Sequence, residues 1–366
     1  MTRDTTQAPA LGLDQVLAQA GLDALLVTRD ANQRFLEGFT GTECYLLASP
    51  RGRWLIADPR YSEQAALECR TAGTVNHRDP FPPYAEVIAT LAREHGLGRI
   101  GFEKATLTYG QYEAIAEELG KQESTRFLPT EGLVERLRQV KTTSEIETLR
   151  AACRIADRAL EATLEVIREG MSELELARNL DHQLVQAGAE GVSFPSIVAF
   201  GAHASQPHAV PGPKPLQPGD LVLIDYGALH QGYHSDTSRT LVFGRTTPRQ
   251  RETYAAVLAA QLKGIAAIRP GIQGREVDAA SRDHLVGAGF PEFNHGVGHG
   301  VGLEIHEMPL MNRKSEEPLQ AGMVITVEPG IYLPGWGGIR IEDTVLVSER
   351  GPECLTHFPK DTLIEI

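Results

Sequence analysis

The sequence predicts an α+β protein in two domains, a small α/β domain followed by a larger one built on an internal repeat. Three observations lead there. The chain has 366 residues, more than one hydrophobic core usually organises. Up to about residue 131, short apolar runs alternate with amphipathic stretches, and the character then changes around Leu133 to Thr143. Beyond that point, Ile167 to Gly188 aligns without gaps to Ile268 to Gly289, with eight identities in 22 positions at an offset of 101.

In the first domain, residues 1–131, Leu25-Leu26-Val27 reads as a strand. Cys44 to Ala48 and Trp54 to Ala57 flank the turn residues Pro50-Arg51-Gly52 and form a hairpin, while Val87 to His95 and Tyr109 to Leu119 have helical spacing. No G-x-G-x-x-G follows a strand here, so the motif gives nucleotide binding no support. The second domain, 132–366, opens on a long helix. Ile146, Leu149, Cys153, Ala156, Leu160, Leu164 and Ile167 step by three or four residues and form a core stripe. Thr142 and Glu145 have capping-box spacing at its start, and Gly170 suits a left-handed exit.

The repeat continues downstream. Gly219 to Asp225 lines up with Gly322 to Glu328 at an offset of 103, so each half runs helix, helix, then a strand ending in a carboxylate, as expected of two half-domains about a pseudo-two-fold axis. Asp236 follows Asp225 across the turn residues Leu229-His230-Gln231-Gly232. Equidistance from that turn predicts two facing carboxylates about 5 Å apart at Cα. In the second half Glu328 ends one strand, and Glu342 follows Gly338-Ile339-Arg340-Ile341 on its return. Four acids on buried-looking strands are costly unless divalent cations lie among them. A histidine ligand is expected from the glycine-rich run His295 to Glu307, and an oxygen-rich set with one imidazole favours manganese, cobalt or a similar ion over a thiolate-type zinc site.

Composition excludes several other classes. A formal net charge of −13 disfavours nucleic acid and anionic lipid as partners. Cys44, Cys69, Cys153 and Cys354 stand at least 25 residues apart with no C-x-x-C, as suits reduced thiols in a cytoplasm. The first twenty residues lack a continuous apolar core, and the uncharged stretch Gly191 to Pro213 carries prolines and histidines, so no membrane association is expected.

The motifs IDYG (Asp225), SDTSRT (Asp236), GHGVGLEIHE (His299 and His306), VEPGIY (Glu328) and GGIRIEDT (Glu342) are similar to those of the pita-bread metallopeptidases. That family includes methionine aminopeptidase, prolidase and X-prolyl aminopeptidase. The resemblance covers about 135–366 and implies a pita-bread catalytic domain, preceded by a creatinase/prolidase-like N-terminal domain. It implies two divalent ions, manganese first with cobalt or zinc as alternatives. Asp225, Asp236 and Glu342 would surround one ion, and Asp236, His299, Glu328 and Glu342 the other. His208 resembles the residue that contacts the substrate near the scissile amide, and His306 the one that stabilises the tetrahedral intermediate. His295, Tyr332 and Arg340 match positions lining a prolyl pocket.

Two divalent ions lower the pKa of a water so that it attacks near neutral pH. Glu328 is then placed to shuttle a proton to the leaving prolyl nitrogen. Asp58, Arg60 and Tyr61 resemble the D-x-R-Y motif of small aminopeptidases P, although a salt-bridged turn explains them equally well. The leading expectation is therefore an aminopeptidase that removes the residue before proline from Xaa-Pro-Yaa peptides. An Xaa-Pro dipeptidase (prolidase) is the alternative, and a non-catalytic binding protein on the same fold a third. A homodimer is implied by the resemblance alone.

Overall fold

A computed structural model describes residues 12–122 and 124–366. The chain divides into two compact units, Met1–Arg138 and Gln139–Ile366. In the first unit, strands β1 (Ala24–Val27), β2 (Tyr45–Ser49), β3 (Gly52–Ala57), β4 (Gly73–Asn76), β5 (Arg99–Glu103) and β6 (Arg126–Thr130) form one sheet in the order β4-β3-β2-β1-β5-β6. The sheet is mixed, with β1 antiparallel to β2 and parallel to β5. Helices α1 (Leu13–Ala20), α2 (Asp30–Glu37) and α3 (Ser62–Glu68) cover one face, and α4 (Tyr84–Glu94) and α5 (Tyr109–Gly120) the other. Because successive side chains alternate across a strand, Ala24 and Leu26 pack with α4 and α5, whereas Leu25 and Val27 pack with α1 and α2. Burial on both faces is why these strands read as apolar runs. The β2–β3 hairpin closes at Ser49 and Gly52 around Pro50-Arg51.

The first unit ends seven residues beyond the boundary placed from sequence. Val134 is buried and Leu133 and Leu137 pack against it in the same cluster as Leu25 and Leu46, so this segment belongs to the N-terminal core.

The second unit begins at α6 (Glu135–Gln139), which straddles the division, and continues through α7 (Thr143–Leu164) and α8 (Glu173–Gln186). The capping box of Thr142 and Glu145 forms. The helix stops at Leu164, three residues short of the expected stripe, and Ile167 reaches the same core from the following turn. Next come β7 (Gly191–Val192), β8 (Ile197–Phe200), β9 (Leu221–Tyr226), β10 (Ala228–His230), β11 (Tyr233–His234) and β12 (Thr237–Val242). Then follow α9 (Pro248–Ala267), α10 (Gly274–Gly287), β13 (Gly298–Gly300), β14 (Glu307–Met311), β15 (Val324–Val327), β16 (Gly330–Leu333), β17 (Gly337–Arg340), β18 (Asp343–Ser348) and β19 (Gly351–Cys354).

The repeat holds at the level of single hydrogen bonds. Helix α10 begins and ends at the 101-residue offset from α8. Gly170 donates its N–H to Leu216 O at 2.9 Å, and its counterpart Gly271 donates to Leu319 O at 2.8 Å. Both glycines have positive φ, 80° and 87°, but each lies in the turn beyond its helix, since α7 ends at Leu164 and α9 at Ala267, so Gly170 is not the left-handed helix exit expected from sequence. Each half owns a core: α7 and α8 pack on β8 and β9, and α9 and α10 pack on β15, β17 and β18. Among the described residues, no helix is long and apolar enough to cross a membrane.

Candidate metal centre

The five predicted ligands all sit at strand ends or within a short strand of the second unit. Asp225 lies near the end of β9, Asp236 just before β12, His299 at the middle of β13, Glu328 just after β15, and Glu342 just before β18. Asp225, Asp236, His299 and Glu342 are buried, and the Glu328 side chain is partly so. One ligand atom from each of Asp236, His299 and Glu342 lies within 4.8 Å of the others. His299 Nε2 is 3.4 Å from Asp236 Oδ2 and 3.5 Å from Glu328 Oε1.

The first hairpin differs from its sequence-based reading. Gln231 and Gly232 have φ of 49° and 75°, and His230 pairs with Tyr233, so the chain reverses in a two-residue turn of the primed kind. The register carried down the hairpin sets Asp225 opposite Ser238, not Asp236. Asp236 is therefore a diagonal neighbour on the same face. Diagonal spacing is wider, about 7–8 Å at Cα, and leaves room between the carboxylates. In the second hairpin the expected register forms: Val327 pairs with Asp343 and Gly330 with Arg340, which places Glu328 across from Glu342.

His299 owes its place to glycine on both sides. A Cβ on Gly298 would lie 2.0 Å from Thr326 O, and one on Gly300 2.3 Å from Met308 O, so only glycine lets β13 press against both neighbours. The His299 Nδ1–H donates to Gly300 O at 3.0 Å, which leaves Nε2 as a lone pair facing the acids. Burial pushes its pKa down to about 4, so the imidazole is neutral. Burial first, then mutual repulsion among Asp225, Asp236, Glu328 and Glu342, pushes the carboxyls of Asp236 and Glu342 well up. Burial likewise takes Glu328 to about 8. Asp225 Oδ1 is buried with no hydrogen-bond partner. A neutral imidazole, crowded carboxylates and an orphaned oxygen fit a divalent cation.

Arg340 ties the acids to the predicted prolyl pocket. It donates from Nη2 to Asp225 Oδ2 at 2.7 Å, from Nε to Ser238 Oγ at 2.8 Å, and from Nη1 to Tyr332 OH at 3.0 Å and Pro207 O at 3.2 Å. The Tyr332 hydroxyl lies 3.2 Å from His295 Nε2. Burial holds the His295 pKa down at about 4 and lifts that of Tyr332 to about 12. The His306 ring meets the His299 ring edge-on at 4.3 Å, and His306 is exposed. His208 is exposed on the loop after β8.

Sequence reasoning missed two supports. Ser238, inside the quoted SDTSRT motif, donates to Glu342 Oε2 at 2.8 Å. Lys141 and Glu307 form a buried ion pair at 2.6 Å, whose only signal was a lysine before the capping box and an acid beside His306. Asp58, Arg60 and Tyr61 belong to the first unit. Asp58 accepts from the Arg60 backbone N–H at 2.9 Å and from its Nε at 2.8 Å, and pairs with Arg78 at 2.8 Å, while Tyr61 packs edge-on against Phe39. These are the contacts of a capped, salt-bridged turn.

Residues 147–349 match the metallopeptidase family M24, and residues 11–140 match the creatinase/prolidase N-terminal domain. The chain belongs to metallopeptidase family M24. Its fold is thus the α+β pita-bread domain behind a creatinase-type domain. This M24 chain is 35% identical to a Xaa-Pro dipeptidase of Pyrococcus horikoshii, over 93% of its own length and 95% of the relative's. It resembles the solved Xaa-Pro dipeptidase of Bacillus anthracis with a TM-score of 0.92 at 41% identity, covering 97% of this chain and 98% of that one. It also resembles the X-Pro aminopeptidase of Thermotoga maritima with a TM-score of 0.88 at 32% identity, covering 96% and 100%. These two relatives named as dipeptidases stand nearer than this aminopeptidase, which shifts weight from the leading expectation to its alternative.

Proposed function

We propose that this M24 peptidase is a two-metal Xaa-Pro dipeptidase, hydrolysing the amide bond before proline in a dipeptide. The observation that carries the reading is the convergence of Asp236, His299 and Glu342, with Glu328 and Asp225 beside them, in a chain similar to Xaa-Pro dipeptidases. Asp225, Asp236 and Glu342 would hold one ion, and Asp236, His299, Glu328 and Glu342 the other. Manganese suits this oxygen-rich set best, ahead of cobalt or zinc. When bound, such ions supply a nucleophilic water near neutral pH and neutralise charge at the scissile carbonyl.

The chain's own residues do the rest. Glu328 takes the proton of the attacking water and passes it to the prolyl nitrogen. His306 donates to the developing oxyanion, and His208 contacts the substrate beside the scissile amide. His295, Tyr332 and Arg340 shape the prolyl pocket, which must recognise ring form because the tertiary amide has no N–H to offer. A cytoplasmic homodimer is part of this reading.

An Xaa-Pro aminopeptidase is the second reading, and one observation favours it. A dipeptidase needs a cation for the carboxylate that directly follows proline, yet Arg340 already donates to Asp225, Ser238 and Tyr332. The test is kcat/KM for a matched Xaa-Pro and Xaa-Pro-Yaa pair on manganese-loaded protein. Preference for the dipeptide is expected. Preference for the longer peptide moves the assignment to aminopeptidase, and cleavage of neither leaves a non-catalytic binding protein.

A further inference from the structure

Glu173 is fully buried at the first turn of α8, yet the helix start does not need it. Ser172 and Glu175 already form the capping box there. The corresponding position in the second half, at the 101-residue offset, is Gly274, where a Cβ would lie 2.5 Å from Leu310 O. The acid therefore serves something peculiar to the first half.

Its carboxylate gathers both ends of the loop that follows β8. Phe200 N donates to Oε1 at 2.8 Å, and Gly212 N donates to Oε2 at 3.0 Å. His203 Nδ1 lies 2.8 Å from Oε1 and 2.9 Å from Oε2. The segment between, 201–211, leaves and returns to one buried group, which is how a compact Ω-loop is closed. Its inner side is seated as well. Pro207 O accepts from Arg340 Nη1 at 3.2 Å, and Ala204 and Ala209 pack with Tyr332 and Leu223. Its outer side carries exposed His208 and Val210. His208 directly follows Pro207, whose carbonyl is held by Arg340, the residue that also donates to Asp225.

We infer that Glu173 is a positioning residue, its buried carboxylate clamping the 201–211 loop so that His208 and the Pro207 carbonyl are held at the substrate side of the metal centre. The inference rests on the peptidase reading above. A carboxylate makes a good clamp because it accepts several bonds at once, and each bond to an ionised acceptor is stronger than a neutral one. Glutamine at this position has one acceptor oxygen for two backbone donors, so one of those donors loses its bond, while the Leu174 N–H still donates to Gly212 O at 3.0 Å and Phe200 stays paired with Val222.

The test uses the full chain loaded with manganese. In Glu173→Gln, amide exchange across Phe200–Gly212 should rise at least about tenfold. kcat/KM for an Xaa-Pro dipeptide should fall by roughly 10- to 100-fold with KM raised, as misplacement of a contact residue predicts. Metal content by elemental analysis should stay at the wild-type value. His203→Ala keeps both backbone bonds and should move exchange and KM in the same direction by less. Wild-type loop exchange, unchanged kinetics despite faster exchange, or activity lost together with the metals would each overturn the inference. Should Glu173→Gln not fold, His203→Ala decides, and wild-type exchange and kinetics there overturn it. Should wild-type protein cleave no Xaa-Pro peptide, the peptidase reading falls, while the exchange comparison alone still upholds or overturns the clamp.

Discussion

His299 and His306 touch ring to ring at 4.3 Å, yet their surroundings assign them different work. His299 is buried, its Nδ1 proton is committed to Gly300 O, and its Nε2 faces Asp236 and Glu328. His306 is exposed. On the proposed reading, removing His299 would take away a metal ligand, whereas removing His306 would take away a donor to the reaction's charge. Chelation should abolish turnover, and manganese should restore it. His299→Ala should lose bound metal and rate together. His306→Ala should retain the metal and lower kcat by roughly 10²-fold or more. Metal analysis alongside kinetics checks both, and equal metal loss in the two variants would contradict the division. Arg340 shows the same dependence on surroundings. Its type suggests a substrate cation, but its donors are already engaged by Asp225, Ser238 and Tyr332, which fits a residue that shapes the pocket wall.

At the scale of elements, the acids are delivered by two hairpins that are similar in sequence and different in register. The first reverses at Gln231-Gly232 and sets its two acids diagonally, and the second opposes Glu328 and Glu342 directly. Between them, β13 is only Gly298 to Gly300, and its value lies in how close it comes to its neighbours. Gly298→Ala would drive a methyl group to 2.0 Å from Thr326 O, a backbone atom with little freedom to yield. Overpacking of that kind costs about 1–3 kcal/mol, and the strand it would displace carries the candidate ligand His299. The expected result is a lower unfolding midpoint in urea with weakened metal binding. A variant that binds manganese as tightly as wild type would show that β13 can move without consequence.

At the scale of the second unit, one buried ion network joins strands from the two halves of the repeat next to the candidate ligands. Arg239, on β12, pairs with Asp343, on β18, at 2.8 Å, and also donates to Phe358 O, Ser238 O and Glu342 O. Asp343 further accepts from Gln261 at 2.7 Å, from Thr356 at 2.8 Å, and from Lys360. Asp236 and Glu342 each lie within three residues of this network, so it braces the strand segments that carry these two candidate ligands. Asp343→Asn leaves Arg239 and Lys360 without their shared countercharge. Breaking a buried pair from one side costs about 3–5 kcal/mol. Equilibrium unfolding of the metal-free protein should show a loss of that order, and a loss under about 1 kcal/mol would mean that the network relaxes around asparagine.

Much of this molecule is legible from residue order, because its signals are local or periodic. The 3.6-residue stripe and the Thr142–Glu145 cap announce α7, and paired glycines with aligned acids announce the repeat. The five candidate ligands fall within short quoted motifs. What residue order left open were quantities set by contacts distant in the chain. The end of the first unit depends on Val134 choosing the N-terminal core, and the end of α7 on Gly170 and Met171 pairing with the strand segment at Leu216. The diagonal setting of Asp225 and Asp236 depends on which two residues take positive φ, and a one-residue slip there changes every facing pair. Glu173 and Lys141 lie outside the motifs, and although Ser238 and Glu307 lie within them, their roles could not be read there, because each acts through a partner 27 to 166 residues away. Residue order named the acids and imidazoles of this site. Only the packed chain decided their spacing, which oxygen was left without a partner, and which side chains hold the others in place, since those are properties of register and burial.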